Sequence, residues 1–454
     1  MATRQRALRL GQRLKSAHAR PFSTSTIRQT DGVFKELTAM RVPTPWIDAL
    51  RERQSKEKEH GAGATASATG PVKETTLTPK TMSDSFTKVV LPLAQDKFLA
   101  DGYLNSEGNV RLGALFMDLD ALSGVIAYKH TGEGVTTVTA SFDRISITHP
   151  LKEVCDLELS GQVTHVGKSS MEIGLQVAAA ATNGQKSGAI LLSCSCTMVS
   201  LNPETRKPTA INPLKIETAE EKKIFDEAER NSKKRKELRS KTLRKYTPDA
   251  DEGKTIHSLW QKQVQWHETT STHTKPSNVT WMEATKLHSA AIMQPQYRNR
   301  HHFMIFGGFL LRASYELAFC CAASFAHARP RFVSLDPSTF ETPVPVGSVL
   351  YLGATVVYTD PEVEGGLSDN DGSGATAGGK EAQKTRVIVR VDSYVRNVEH
   401  GERKPTGTFN YSFEVDGDVR VMPRTYGEFM LFIDAKRRSK TLSDLESDVQ
   451  SATE

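Results

Sequence analysis

Apolar positions along this chain run through the same programme twice. An extended stretch at 87–93 and a polar loop lead into "VRLGALFMDLDALSGVIAYKH" (110–130). There Leu112, Leu115, Phe116, Leu119, Leu122 and Ile126 recur at three- and four-residue spacing and predict a helix. Strand-like runs follow at 136–147, 156–166, 169–178 and 188–201, with "HVGKSS" as a hairpin turn between two of them. The second pass begins with "VTWMEATKLHSAAIM" (279–293), continues through a polar loop into a helix at 308–326, and ends in strands at 332–338, 348–359, 385–394 and 406–415.

The two passes superpose. Gly113 pairs with Gly308, Leu115 with Leu310 and Leu122 with Leu317 at an offset of 195; Ile147 pairs with Phe340, Pro150 with Pro343, Leu157 with Leu350 and Val163 with Val356 at 193. So constant a register over apolar, Pro and Gly positions indicates one duplicated unit. A single long apolar helix followed by alternating strands packs by wrapping an antiparallel sheet around the helix, an α+β architecture in which most strands bury one face.

Chemistry concentrates at the helix starts. "NRHHFMIFGGFLLRASYELAFC" (299–320) sets Asn299, His301 and His302 ahead of Gly307 and Gly308. A helix start offers unpaired N–H groups and the positive dipole end, so a carbonyl or oxyanion can sit against the Gly308 amide; a tight loop-to-helix turn would equally require glycine. In the first helix, Asp118 and Asp120 lie among apolar neighbours, where a short acid is costly to bury without a partner. At the position of Asp120 the second helix has Tyr315, followed by Glu316, so the halves are chemically unequal.

Composition adds targeting and linkers. The 454 residues are 38% hydrophobic and 25% charged, enough for sizeable cores. The first thirty hold seven basic residues and no acid, the composition of a mitochondrial transit peptide, and they account for the net charge of +6; a near-neutral remainder argues against nucleic acid as a partner. No apolar run is expected to span a bilayer, because Arg312, Glu316 and His327 interrupt the most apolar segment. Residues 55–82 are small and polar and read as a linker. "GGLSDNDGSGATAGGKEAQ" reads as a disordered insertion, and the charged segment opening on the Thr218–Glu221 capping box as a solvated helical connector. Five cysteines give neither a disulfide framework nor metal-ligand spacing, and no G-x-S-x-G elbow is present.

Taken together, "IFGGFLLRASYEL", "ETPVPVGSVLYL", "PRTYGEFMLFIDAKRR", "VRLGALFMDLDAL" and "VSLNPETRKP" resemble the two-domain (double hotdog) acyl-CoA thioesterases, most closely their mitochondrial branch, over about residues 84–440. The resemblance implies a transit peptide (1–30), a flexible linker (31–83), a first hotdog domain (84–202), a connector (203–278), a second hotdog domain (279–417, insertion about 362–384) and a tail with a short helix (418–454). It implies hydrolysis of fatty acyl-CoA to fatty acid and CoA in the mitochondrial matrix, by water attack in a cleft shared between the two domains, with no cofactor or metal and with assembly into trimers of chains. By position the family's acid falls on Asp120 and its amide on Asn105 and on Asn299, leaving Asn299 open against His301 and His302. The working cleft would join Asp120 to Asn299 and the Gly308 amide, and a second, degenerate one would join Asn105 to Tyr315 and Glu316. Whether Asp120 is base or nucleophile stays open. A basic rim for the CoA phosphates would come from Arg298, Arg300, Lys436, Arg437 or the "KKRKELRSKTLRK" run. Other readings are a hotdog enoyl-CoA hydratase, disfavoured because His301 and His302 lack an acid four or five residues ahead, and a non-catalytic acyl-CoA-binding protein.

Overall fold

In the computed structural model the described residues run from 77 to 453, apart from 133, 148–153, 181–187, 204, 241–242, 244–245, 268–273, 300–303, 363–382 and 400, with a few more between 46 and 55. The transit-peptide reading, nearly all of the linker and most of the insertion therefore lie outside the described residues, as do Arg300, His301 and His302.

The first unit comprises β1 (Lys80–Thr81), α1 (Met82–Ser85), β2 (Thr87–Leu91), α2 (Lys97–Tyr103), α3 (Leu112–Thr131), β3 (Thr136–Phe142), β4 (Ile145–Ile147), β5 (Leu157–Val166), β6 (Ser170–Ala179), β7 (Ile190–Leu201), β8 (Leu214–Lys215) and α4 (Ala219–Ser240). After α5 (Ala250–His267) the order repeats: β9 (Val279–Trp281), a 3-10 turn (Met282–Thr285), β10 (Leu287–Ile292), a 3-10 turn (Pro295–Tyr297), α6 (Gly307–Ala326), β11 (Arg331–Leu335), β12 (Ser338–Phe340), β13 (Val349–Glu362), β14 (Lys384–Arg396), β15 (Arg403–Asp416), β16 (Arg420–Met422) and α7 (Tyr426–Thr453). Helices α3 and α6 are each 20 residues long and begin 195 residues apart.

The expected strands at 136–147 and 332–338 each break in two, at Asp143–Arg144 and at Asp336–Pro337. The breaks have a purpose. β3 pairs with β12 and β4 with β11, so the two units join reciprocally into one twelve-stranded antiparallel sheet. The sheet wraps both long helices. Leu115, Phe116, Leu119, Leu122 and Ile126 of α3 and Leu310, Leu311, Ala318, Cys321 and Ala322 of α6 are buried beneath it. Contrary to the sequence expectation, Gly307–Ala326 is long and apolar enough by length and composition to cross a bilayer; its apolar face is spent on the core instead.

The repetition also reaches into the segments read as connector and tail. Parallel pairs β1–β8 and β9–β16 match, and α4 and α7 open on matching capping boxes. Glu221 N donates to Thr218 Oγ1 (3.1 Å) and Thr218 N to the Glu221 carboxylate (3.2 Å); Thr425 and Glu428 repeat this at 3.3 and 3.2 Å. Phe225 lies against His165 (4.8 Å between rings) as Phe432 lies against Tyr358 (5.0 Å). Phe429, Phe432 and Ile433 bury α7, whereas among the described residues of α4 only Ala228 is buried. The charged connector thus begins as a weakly docked copy of the tail helix, and the chain adds α5 after it.

Candidate active site

The first turn of each long helix packs against the side of the other through a glycine, with no room for a side chain at Gly308 and little at Gly113. A Cβ on Gly308 would fall 2.9 Å from Met117 Cα, 2.9 Å from Asp120 Cβ and 2.8 Å from the Phe306 ring; one on Gly113 would fall 3.1 Å from Arg312 Cγ. Close approach at Gly308 delivers the N-terminus of α6 to the side of α3. Gly308 N donates to Asp120 Oδ2 at 2.6 Å, and Thr139 Oγ1 of β3 donates to Asp120 Oδ1 at 2.7 Å. Asp120 is 1% exposed and both of its oxygens accept, the arrangement that holds a carboxylate in place with a helix dipole behind it. Thr139 was not singled out from sequence; it lies in a strand of alternating Thr and Val, and its register to the helix is not visible there.

Asn299 sits in a short hairpin just ahead of Gly307. Its N–H donates to Met304 O (2.7 Å), Arg298 bridges to Ile305, and Phe306 N donates to Tyr297 O (3.1 Å). In the first unit Asn105 N donates to Asn109 O (2.8 Å), Leu104 bridges to Val110, and Arg111 N donates to Tyr103 O (2.7 Å). The described flanks of the two hairpins pair alike, and the second has one more residue between its paired ends. That residue explains why Asn299 and Asn105 stand at different distances from their helices, and the ladder registers Asn299, not His301 or His302, with Asn105.

No protein-family model matches the chain. Among curated proteins it is 32% identical over 433 residues to "Acyl-coenzyme A thioesterase 9, mitochondrial" of Bos taurus, covering 93% of this chain and 91% of the relative. It is 33% identical over 410 residues to the Homo sapiens protein of that name (88% and 85% covered) and 31% identical over 412 residues to "Acyl-coenzyme A thioesterase 10, mitochondrial" of Mus musculus (88% and 86%). The chain belongs to the mitochondrial acyl-CoA thioesterase family. Among solved structures, an acyl-CoA hydrolase from Staphylococcus aureus in complex with butyryl coenzyme A, coenzyme A and coenzyme A disulfide is 25% identical, with a TM-score of 0.31 over 41% of this chain and 99% of that one. This thioesterase is an acyl-CoA hydrolase of tandem hotdog units, and the names of its mammalian relatives support a mitochondrial location.

The thioesterase's two units differ at the matching places. Strand registers make Phe332 the counterpart of Thr139, each sitting at a bulge of its strand and opposite Phe413 or Met198. Tyr315, the counterpart of Asp120, stacks edge-on to Phe332 (5.6 Å, 84°) and Phe116 (5.4 Å, 81°), with Tyr411 and Phe413 alongside. An acid–hydroxyl pair on one side is an aromatic plug on the other. Glu316 is ion-paired to Arg111 and to Arg312 (3.1 Å). The Asn105 side-chain oxygen accepts from the backbone N–H of Glu107 (2.9 Å) and Asn109 (3.0 Å), closing its own loop.

The remaining sequence candidates are engaged elsewhere. Arg437 makes a bidentate pair with Glu252 of α5, and Lys436 donates to Thr255 (3.2 Å), so both dock α7 onto α5. Arg298 donates to Pro295 O (3.0 Å) and lies 5.6 Å over the Trp46 ring. Side chains of 234–240 lie outside the described residues. Burial pushes the Cys194 and Cys321 thiols up to about 12 and the Cys196 thiol well above its usual range, so none of these is a thiolate nucleophile. Asp118, two residues from Asp120, faces the other way. Tyr103 OH donates to its Oδ2 (2.7 Å), its Oδ1 has no partner, and burial raises its pKa to about 7.

Proposed function

We propose that this acyl-CoA hydrolase works at Asp120, with Thr139 and the α6 N-terminus as its supports and Asn299 at the rim. The carrying observation is the pair of hydrogen bonds that hold the Asp120 carboxylate between the two units. A single amide N–H cannot serve both that carboxylate and a thioester oxygen. Asp120 is therefore parked on Gly308 in the free enzyme; the arriving carbonyl oxygen takes over the amide, while Thr139 retains Oδ1. Freed on one side, Asp120 accepts a proton from a water that attacks the carbonyl carbon. The Gly308 N–H stabilises the oxyanion; the C–S bond then breaks, and the CoA sulfur leaves to be protonated. Asn299 orients the water through its side-chain amide. A thioester is electrophilic enough for this base and hole to suffice.

Around this site the reading extends to a mitochondrial matrix enzyme that binds the CoA phosphates through Arg298 and its sequence neighbour Arg300. It assembles as trimers of chains, for which the edge strands β2 and β10, with Val90 46% and Ile292 60% exposed, leave open borders. Thiol release from an acyl-CoA series, with Asp120→Asn and Asn299→Ala beside wild type, tests the site. Loss of about 100-fold or more in kcat for Asp120→Asn supports it; equal rates in all three proteins overturn it. Sedimentation of the native chain tests the assembly.

A further inference from the structure

Asp120 and Gly308 are buried, so a thioester reaches them only past something that yields. Three residues of the cluster remain half-exposed: Gly307, Thr139 and Phe340. A Cβ on Gly307 would fall 3.2 Å from Cε2 and from Cζ of Phe340 and 3.4 Å from Thr139 Cβ. The Phe340 ring therefore lies edge-on against the bare backbone of Gly307, one residue from the amide that holds Asp120. Strand pairing brings this about, because Thr339 of β12 registers with Ser141 of β3 and Phe340 follows it beside the Thr139 end of the strand. Phe409, 5.9 Å behind, backs the ring.

The duplication supplies an internal control. Gly308 has its counterpart in Gly113, and both are forced by the helix crossing. Gly307 has its counterpart in Leu112, the first residue of α3, so the fold does not need glycine at this place. Glycine weakens a helix, yet it stands here only on the side that has Asp120 and Thr139. The counterpart of Phe340 in the first unit is Ile147, so the ring too is confined to the side that has Gly307. Space at Gly307 thus accompanies chemistry and not packing.

We propose that Phe340 is the gate of the Asp120 cleft and a specificity-determining residue: its ring swings over Gly307 to admit the thioester and then contacts the acyl carbons next to the carbonyl. The inference rests on the Asp120 reading above. A ring at this place tolerates a straight chain and penalises a branch beside the carbonyl, whereas removing it relaxes that choice.

The test compares kcat/KM for a straight-chain acyl-CoA with an α-methyl-branched acyl-CoA of equal carbon number, in the full chain. Phe340→Ala is expected to raise the branched-to-straight ratio about 10-fold. Gly307→Ala, a change that favours helix, is expected to lower kcat/KM about 10-fold for both substrates by jamming the ring, and Gly307→Ala combined with Phe340→Ala to recover most of that loss. An unchanged ratio in Phe340→Ala, or a double variant no faster than Gly307→Ala, overturns the gate. Asp120→Asn run alongside separates the two claims: if it is inactive while the ratio stays fixed, only the gate fails, and if it is active the site reading fails.

Discussion

Replacing Asp118 by asparagine should stabilise the protein in a way that grows with pH. Asp118 is fully buried, its one hydrogen bond comes from the Tyr103 hydroxyl, and burial lifts its pKa from 3.8 to about 7. Between those values the native state holds a proton that the unfolded chain has released. Stability contributed by the neutral acid is therefore present at low pH and is lost as pH climbs through about 4 to 7. Complete ionisation costs about 4 kcal/mol, at about 1.4 kcal/mol per pH unit. Asparagine keeps an acceptor for Tyr103 and cannot ionise. It also buries an amide N–H2 facing no partner, at a cost of about 1–3 kcal/mol that is independent of pH. The pH-dependent part is thus the clean observable: from about pH 5 to about pH 8 the stability difference, Asp118→Asn minus wild type, should move by about 2–3 kcal/mol in favour of the variant. Urea unfolding at both pH values, with equal m-values, measures it. A difference that stays constant with pH would refute the idea that Asp118 is a neutral buried acid, whatever its sign.

Thr139→Val, nearly isosteric, removes the hydroxyl that holds Asp120 Oδ1; kcat should fall about 10- to 100-fold, the worth of one hydrogen bond to a charged group, while Thr139→Ser keeps most activity. Gly308→Ala places a methyl where three atoms already stand within 2.9 Å, so thermal unfolding should report a loss of about 1–3 kcal/mol or more together with loss of thiol release, whereas Gly113→Ala should cost stability with little effect on kcat. Tyr315→Ala opens the aromatic plug and should cost about 3–5 kcal/mol in denaturant unfolding without adding a second active site, as judged by thiol release staying abolished in Tyr315→Ala combined with Asp120→Asn.

Much of this was legible in the chain itself. Hydrophobic spacing located both long helices to within two residues of their starts, because each buries a broad apolar face under the sheet. The offset between copies announced the duplication, whereas the glycine shared by both copies read as a carbonyl site or a tight turn and not as the helix contact that it makes. What stayed hidden depends on register between distant strands. Nothing in "TTVTASF" says that Thr139, and not Thr137 on the same face of the strand, reaches Asp120; the placement of α3 along β3 decides it. Lys436 and Arg437 read as loose cations because Glu252 lies 185 residues from Arg437 in sequence. Arg312, Glu316 and His327 break up the most apolar segment less than expected from the sequence, because Gly307–Ala326 is still long and apolar enough by composition to cross a bilayer, although its buried residues belong to the core.

The duplication also separates packing from chemistry, residue by residue. Positions that the helix crossing needs are the same in both units, as at Gly113 and Gly308. Positions around the carboxylate differ, and always toward apolar bulk on one side: Asp120 against Tyr315, Thr139 against Phe332, Gly307 against Leu112. On that test alone Asn299 would look structural, since Asn105 matches it on the side where Tyr315 replaces the Asp120 carboxylate. The geometry of Asn105 resolves this. Its side-chain oxygen closes the turn that contains Gly108, a residue in the left-handed region at φ 81°, so asparagine has work there even beside an aromatic plug. Asn299 occupies the same hairpin register but in a loop one residue longer, ahead of the helix whose first turn holds Asp120. On the proposed reading Asn299 adds an amide donor to the Asp120 cleft, so Asn299→Asp, which keeps a side-chain oxygen while removing the amide donor, should keep the fold and lose thiol release.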